Sequence, residues 1–245
     1  MTGGLFYVYG VAFDDVKPPE DLQGIDDRPV DIVRSGRLAA VVSELPTDHR
    51  LGRRRHLLTH SQVLDAVAQR AAIVPLRFGT VVEDRPAAVQ LLDAAEDRLV
   101  PLLESLTGTS QYTLHARYDE QQVLAEIVAD DPQIADLHRQ TRGTSDDMTL
   151  NARLRLGELV AAALEDKRAA DAPIVLEPIA EHAVAHSVRQ PTTDVERLVD
   201  AAFLVEDRRA GQFDQAAEAV ARALHGRVRI KLVGPTAPYD FVTEL

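Results

Sequence analysis

The chain has 245 residues, no cysteine and a formal net charge of −12. That length allows one large or two ordinary domains, burying about 70 to 75% of the unfolded surface without a covalent staple. The missing cysteines exclude disulfides, thiolate metal sites and cysteine nucleophiles, in keeping with a reducing cytoplasm, and the acidic balance disfavours nucleic acid and anionic membrane surfaces as partners.

The opening MTGGLFYVYGVAFDD has no basic n-region and reaches acid by Asp14, so it predicts a first strand beginning at Leu5 and no signal peptide. No apolar run approaches the roughly 18 residues that a membrane span needs. After the proline-containing loop DDVKPPED, VDIVRSGRLAAVVSEL sets Ser35 and Gly36 between two β-branched runs, which predicts two paired strands. The basic cluster His49 to His56 reads as a solvated loop before a helix. From His56 to Ala72, Leu57, Leu64, Ala68 and Ala71 recur at helical spacing with His60 on their face, an amphipathic helix. A strand from Ile73 follows. Asp84 then caps a helix that tolerates Pro86 in its first turn, buries Ala88, Leu92, Ala95, Leu99, Leu102 and Leu106, and is expected to kink at Pro101.

LTGTS around Gly108 marks the best domain boundary, because a long helix ends there and an alternating strand begins, with Tyr112, Leu114, Ala116 and Tyr118 on one face. Three helices are expected between Glu120 and Ala170. EHAVAHSVRQ and ERLVDAAFLVED then read as strands, and Phe213, Ala217, Val220 and Leu224 as a helix closed by Gly226. In the last strand Val228, Ile230 and Leu232 face inward against Arg229 and Lys231. The order β, helices, β, β, α, β is that of a ferredoxin-like split βαβ with inserted helices. The expected fold class is therefore α+β: an N-terminal α+β domain over residues 1–108, and a modified ferredoxin-like domain over 109–233 with a helical insertion near 130–170. A C-terminal tail, 234–245, is expected to pack between them.

Motifs for phosphate, dinucleotide and serine-hydrolase chemistry are missing from the sequence, so no catalytic, cofactor-binding or metal-binding residue is assigned and no cofactor is expected. His56 with His60 and His182 with His186 are H-x-x-x-H pairs. The second, on a predicted strand, would hold its side chains about 13 Å apart, too far to share a metal. His60, on an apolar helix face, is expected to be a hydrogen-bonded core histidine.

Within the strand from Ile73, alternation puts Arg77 and Gly79 on the face of Ile73 and Pro75, opposite Val74, Leu76 and Phe78. An arginine so placed is either a clamp, joining elements through a carboxylate or carbonyls, or an anion or partner site. The tail GPTAPYDFVTEL carries Pro235, Tyr239 and Phe241, aromatics too costly to leave in water, which predicts that it docks.

LFYVYGVA, GRLAAVVSEL, VPLRFGTVVED, AAFLVEDRRAGQF and GPTAPYDFV, in this order, resemble the gas vesicle protein F/L family over nearly the whole chain. The most specific pieces are PLRFGT and the terminal GPTAPYDF; the departure is at Thr236 and Ala237, where the family commonly has a bulky residue and a proline. The resemblance implies a non-enzymatic accessory or minor structural protein that assembles gas vesicles, the hollow shells of buoyant prokaryotes. Its partners would be the hydrophobic shell protein and other gas vesicle accessory proteins, and its place the cytoplasm and the vesicle. The family fold it implies is an N-terminal α+β domain, a modified ferredoxin-like domain with a helical insertion, and a joining tail. The alternative is a ferredoxin-like regulatory protein that binds a small molecule.

Overall fold

Leu5–Phe13 forms β1, the strand on which the N-terminal half is built. The computed structural model describes residues 4–46, 51–142, 146–189, 194 and 196–242, and of 146–149 the backbone alone. β1 lies between β3 (Leu38–Leu45) and β4 (Ile73–Pro75); β2 (Asp31–Ser35) flanks β3, and β5 (Val81–Val82) also pairs with β1. These pairings are antiparallel. The β2–β3 hairpin turns at Gly36, whose φ of 54° belongs to the left-handed region that glycine enters without steric cost.

The continuous apolar run of β1 is explained by helices on both faces of its sheet. Val8 stands opposite Val42 but Gly10 opposite Val41, leaving Tyr9 as an extra, bulged residue. The bulge resets the alternation. Phe6, Val8 and Val11 enter the core built with α2 (Arg85–Leu106), whereas Tyr7, Tyr9 and Ala12 enter the one built with α1 (Arg54–Ala68). A side chain at Gly10 would meet Leu64 Cδ2 and the Val74 carbonyl oxygen, each at 2.8 Å, so glycine there is what lets α1 and β4 approach the strand.

Asp84 caps α2 by accepting from Ala87 N at 2.8 Å, and the helix runs unbroken through Pro101. Its buried side includes Ala88, Leu92, Leu99 and Leu106, as the periodicity requires, together with Val100 and Leu103. In α1 the face is rotated from the expected one: Leu57 is 51% exposed, and the buried residues are His56, His60, Val63, Leu64 and Val67. Arg54 and Arg55 belong to the first turn of α1 rather than to a preceding loop; His49 and Arg50 lie outside the described residues.

Gly108, at φ 71°, ends α2 and starts β6 (Thr109–Tyr118). Then come α3 (Glu120–Asp130), α4 (Pro132–Thr141), α5 (Asp146–Ala180), β7 (Ala185–Val188), β8 (Arg197–Glu206), α6 (Ala210–Ala223) and β9 (Val228–Thr236). The four strands form a second sheet in the order β7-β8-β6-β9. Asp119 and Asp131 accept from the first-turn amides of Gln122 and Gln133 at 3.1 and 2.8 Å, which fixes where α3 and α4 begin. The helix expected to end at Ala170 continues to Ala180 through Pro173 and Pro178, because Val175 and Ile179 carry its buried face onward. The strand after it shrinks to Ala185–Val188, and His182 falls in the turn before it.

Arg227 ties this half together. Its Nη2 donates to Asp171 at 2.6 Å and its Nε to Glu126 at 2.8 Å, while Tyr118 donates to Asp171 at 2.7 Å and Lys167 pairs with Glu126 at 3.2 Å. The Arg227 hydrogen bond holds Glu126 below the usual carboxylate range. Burial alone would raise Asp171, but the bonds from Arg227 and Tyr118 outweigh it and hold it low too.

The chain divides into two compact units. The first is Met1–Tyr112 with Leu204–Ala210 and Val233–Leu245, the second Thr113–Phe203 with Gly211–Leu232. Among the described residues no helix is long and apolar enough to cross a membrane.

Candidate partner-binding groove

β4 stops at Pro75, so the alternation expected through Gly79 ends before it reaches Arg77. The chain turns instead: Thr80 N and Oγ1 donate to the Arg77 carbonyl at 3.2 and 2.8 Å, and Gly79 has φ 98°. This turn leaves Arg77 exposed and Phe78 half-buried, its ring 6.1 Å from that of Tyr7 and 5.7 Å from that of His60. The strand position expected for Arg77 is thus replaced by one in an exposed turn.

The turn is joined to α1 through one hydroxyl. Gly79 N donates to Tyr7 Oη at 3.0 Å, and the same hydroxyl is hydrogen-bonded to His60 Nδ1 at 2.9 Å. Burial pulls the His60 pKa down to about 4, with the Leu76 main chain opposing it weakly. At 2% exposure His60 is a core histidine hydrogen-bonded as its sequence position implies, and neutral near pH 7. Among the described residues no group of three His, Cys, Asp or Glu side chains is arranged to hold a metal.

Beside this triad lies a groove of about 220 Å³ with Leu57, Pro75, Leu76, Phe78 and Tyr239 on its walls and Ser61, Arg77 and Val242 around it. Four of the residues singled out in the sequence, His60, Arg77, Phe78 and Tyr239, meet there, and Gly79 supports it from behind. Pro235 is exposed in β9 and Phe241 packs half-buried against the α2-side core; neither lines the groove.

The tail is fastened by main-chain hydrogen bonds as well as by its aromatics, Phe241 against the α2-side core and the Tyr239 ring 6.4 Å from that of His60. Tyr239 is 39% exposed, whereas Ala237 is fully buried and donates its N–H to Asp65 Oδ1 at 2.8 Å. Asp240 N donates to Gln111 Oε1 at 3.0 Å, and Gln111 Nε2 returns a bond to Asp240 at 2.7 Å. Periodicity gave no sign of Asp65 or Gln111. The signal the sequence held is that Tyr7, a tyrosine in an apolar strand, needs a partner for its hydroxyl, as Tyr9 does too.

The architecture is an α+β one whose sheets carry helices, with an apolar groove beside a neutral, buried histidine. The family model described as gas vesicle synthesis protein GvpL/GvpF matches residues 5–243, and the chain belongs to that family. It is 36% identical over 239 residues to gas vesicle protein F of Streptomyces sp. (strain CB03234), covering 96% of this chain and 98% of the relative. Gas vesicle protein L of the same strain is 31% identical over 266 residues, covering 98% and 93%. The fold is that of the crystal structure of GvpF from Anabaena sp. PCC7120, with a TM-score of 0.82 at 24% identity over 98% of this chain and 99% of that one. These relatives support a gas vesicle-related role and do not favour the small-molecule regulator.

Proposed function

We propose that the protein acts in gas vesicle assembly by binding the hydrophobic shell protein, with no turnover of its own, in the cytoplasm and at the growing vesicle. The observation that carries the reading is the groove of the first unit, where Leu57 and Tyr239, 51% and 39% exposed, flank an apolar floor. A shell subunit apolar enough to exclude liquid water aggregates unless its apolar surface is covered, and a soluble protein of net charge −12 supplies that cover. Contact through the groove depends chiefly on apolar burial and only partly on salt.

The test is capture of the shell subunit by the purified protein at moderate salt. Leu57→Asp with Tyr239→Ser, two surface changes that leave the fold intact, is expected to weaken capture at least tenfold, and loss of the gene to abolish or deform vesicles in a cell carrying the gene cluster. Normal vesicles without the gene, together with no capture by the unaltered protein, overturn the proposal.

A further inference from the structure

The second unit carries a different kind of surface. β6 contributes His115 and Arg117, β8 contributes Arg197 and Asp200, and β9 contributes Arg229 and Lys231 to the lining of a groove of about 360 Å³. The lining holds four Lys or Arg side chains against two carboxylates, Glu196 and Asp200, a local excess of positive charge in a chain of net charge −12.

Both carboxylates are already shared. Asp200, 9% exposed, meets Arg189 at 3.1 Å and both Arg197 and His115 at 3.4 Å; Glu196 lies 3.4 Å from Arg117 and 3.6 Å from Arg229. Arg117 is also paired with Asp194. The charge left facing solvent is that of β9: Arg229 is 70% exposed, and Lys231, also exposed, forms no ion pair among the described residues. Residues 190–193 and 195, next in sequence to this groove, include no acidic side chain.

β9 is also an edge strand, with β6 its one hydrogen-bonded neighbour among the described residues. Its outer main-chain groups are a template for another extended segment, and its side chains set which segment fits. Arg229 and Lys231, two residues apart on one face, stand about 7 Å from each other along the strand. We infer that the Arg229–Lys231 edge of β9 docks an extended acidic peptide segment of a partner protein, with carboxylates at every second residue opposite the two cations. Opposite charges facing each other across paired strands are favourable, and like charges are not, so the same pair rejects a second copy of its own basic edge. A polyphosphate backbone suits the surface less well, because Glu196 and the carboxylate of Asp200 interrupt the cations and the lining holds no Phe, Tyr or Trp to stack a base.

The test uses the full chain and fluorescein-labelled heptapeptides read by anisotropy. A Glu-Thr-Glu-Thr-Glu-Thr-Glu probe is expected to bind, more weakly as salt rises, and the Gln-for-Glu probe at least tenfold less tightly. Arg229→Glu with Lys231→Glu is expected to remove binding of the acidic probe and Arg229→Lys to retain it, each with an unchanged melting temperature. If the acidic and Gln probes bind alike, if neither binds, or if charge reversal leaves the affinity intact in a folded variant, the inference is wrong. A single-stranded DNA heptamer that binds as tightly as the acidic peptide also overturns it, in favour of a polyanion site. None of these outcomes depends on capture of the shell subunit.

Discussion

The main-chain N–H of Ala237 donates to Asp65 Oδ1 at 2.8 Å, and this bond fastens the C-terminal segment to the last turn of α1. A proline at position 237 would have no N–H to give, so the bond needs any residue but proline there.

Asp65→Ala is expected to lower stability by about 1 to 3 kcal/mol, since it strands a buried donor. Burial raises the Asp65 pKa and the Ala237 amide only partly offsets this, so the folded state gains stability as pH falls through the raised value. Asp65→Asn keeps an acceptor and discards the buried charge, and should melt at or above the unaltered protein at pH 7. Thermal unfolding checks both, and hydrogen exchange at the Ala237 amide should quicken only in Asp65→Ala and in variants that free the tail.

His60 makes the stability of the N-terminal half depend on pH. Its folded pKa of about 4 lies below the ordinary 6.5, so the unfolded chain binds the proton first. The contribution is fully present above pH 6.5 and is lost as pH falls towards 4, a change of about 3 kcal/mol over the window. The difference in unfolding free energy between the unaltered protein and His60→Phe, followed from pH 7 to 4, should narrow with acidification. A constant difference would show that the ring titrates normally.

Gly10→Ala should destabilise by roughly 1 to 3 kcal/mol, because the new methyl cannot be placed without moving the Val74 main chain. Substituting Gly211, where an added Cβ meets nothing within 4 Å, is the control and should be close to neutral. Denaturant unfolding of the two variants side by side decides it.

Arg227→Ala leaves Asp171 and Glu126, 13% and 22% exposed, without their main counter-charge. A loss of roughly 2 to 3 kcal/mol is expected, with a rise in both carboxyl pKa values measurable by carbon NMR titration. Arg227→Lys should recover only part of it, since an ammonium cannot reach both carboxylates as the planar fork does.

Most of the framework was legible in the sequence because period and punctuation agreed: Asp84 before Pro86, the Ser35–Gly36 turn and Gly108 each mark an end of a helix or strand that the structure keeps, although the first compact unit runs on past Gly108 to Tyr112. What escaped depended on partners far along the chain. The bulge at Tyr9 leaves no trace in an all-apolar run, and Leu57 fits a helical stripe as well as Leu64 does although only Leu64 is buried. Arg77 was misplaced because a strand pattern was carried past Pro75, the residue that ends the strand. The anchor expected from the tail's largest side chains, Tyr239 and Phe241, is shared with the main-chain amide of Ala237, for which periodicity holds no signal.

The first unit is assembled from the beginning of the chain, from Leu204–Ala210 and from the final stretch that starts at Val233. During synthesis on the ribosome its sheet can form early, with β1, β3 and both covering helices emerged, yet Asp65 has no amide to accept from until residue 237 has left the exit tunnel. The part translated first is therefore the part completed last. A product that stops short of residue 237 would carry an intact-looking amino terminus in which Asp65 lacks the amide it accepts from in the full fold.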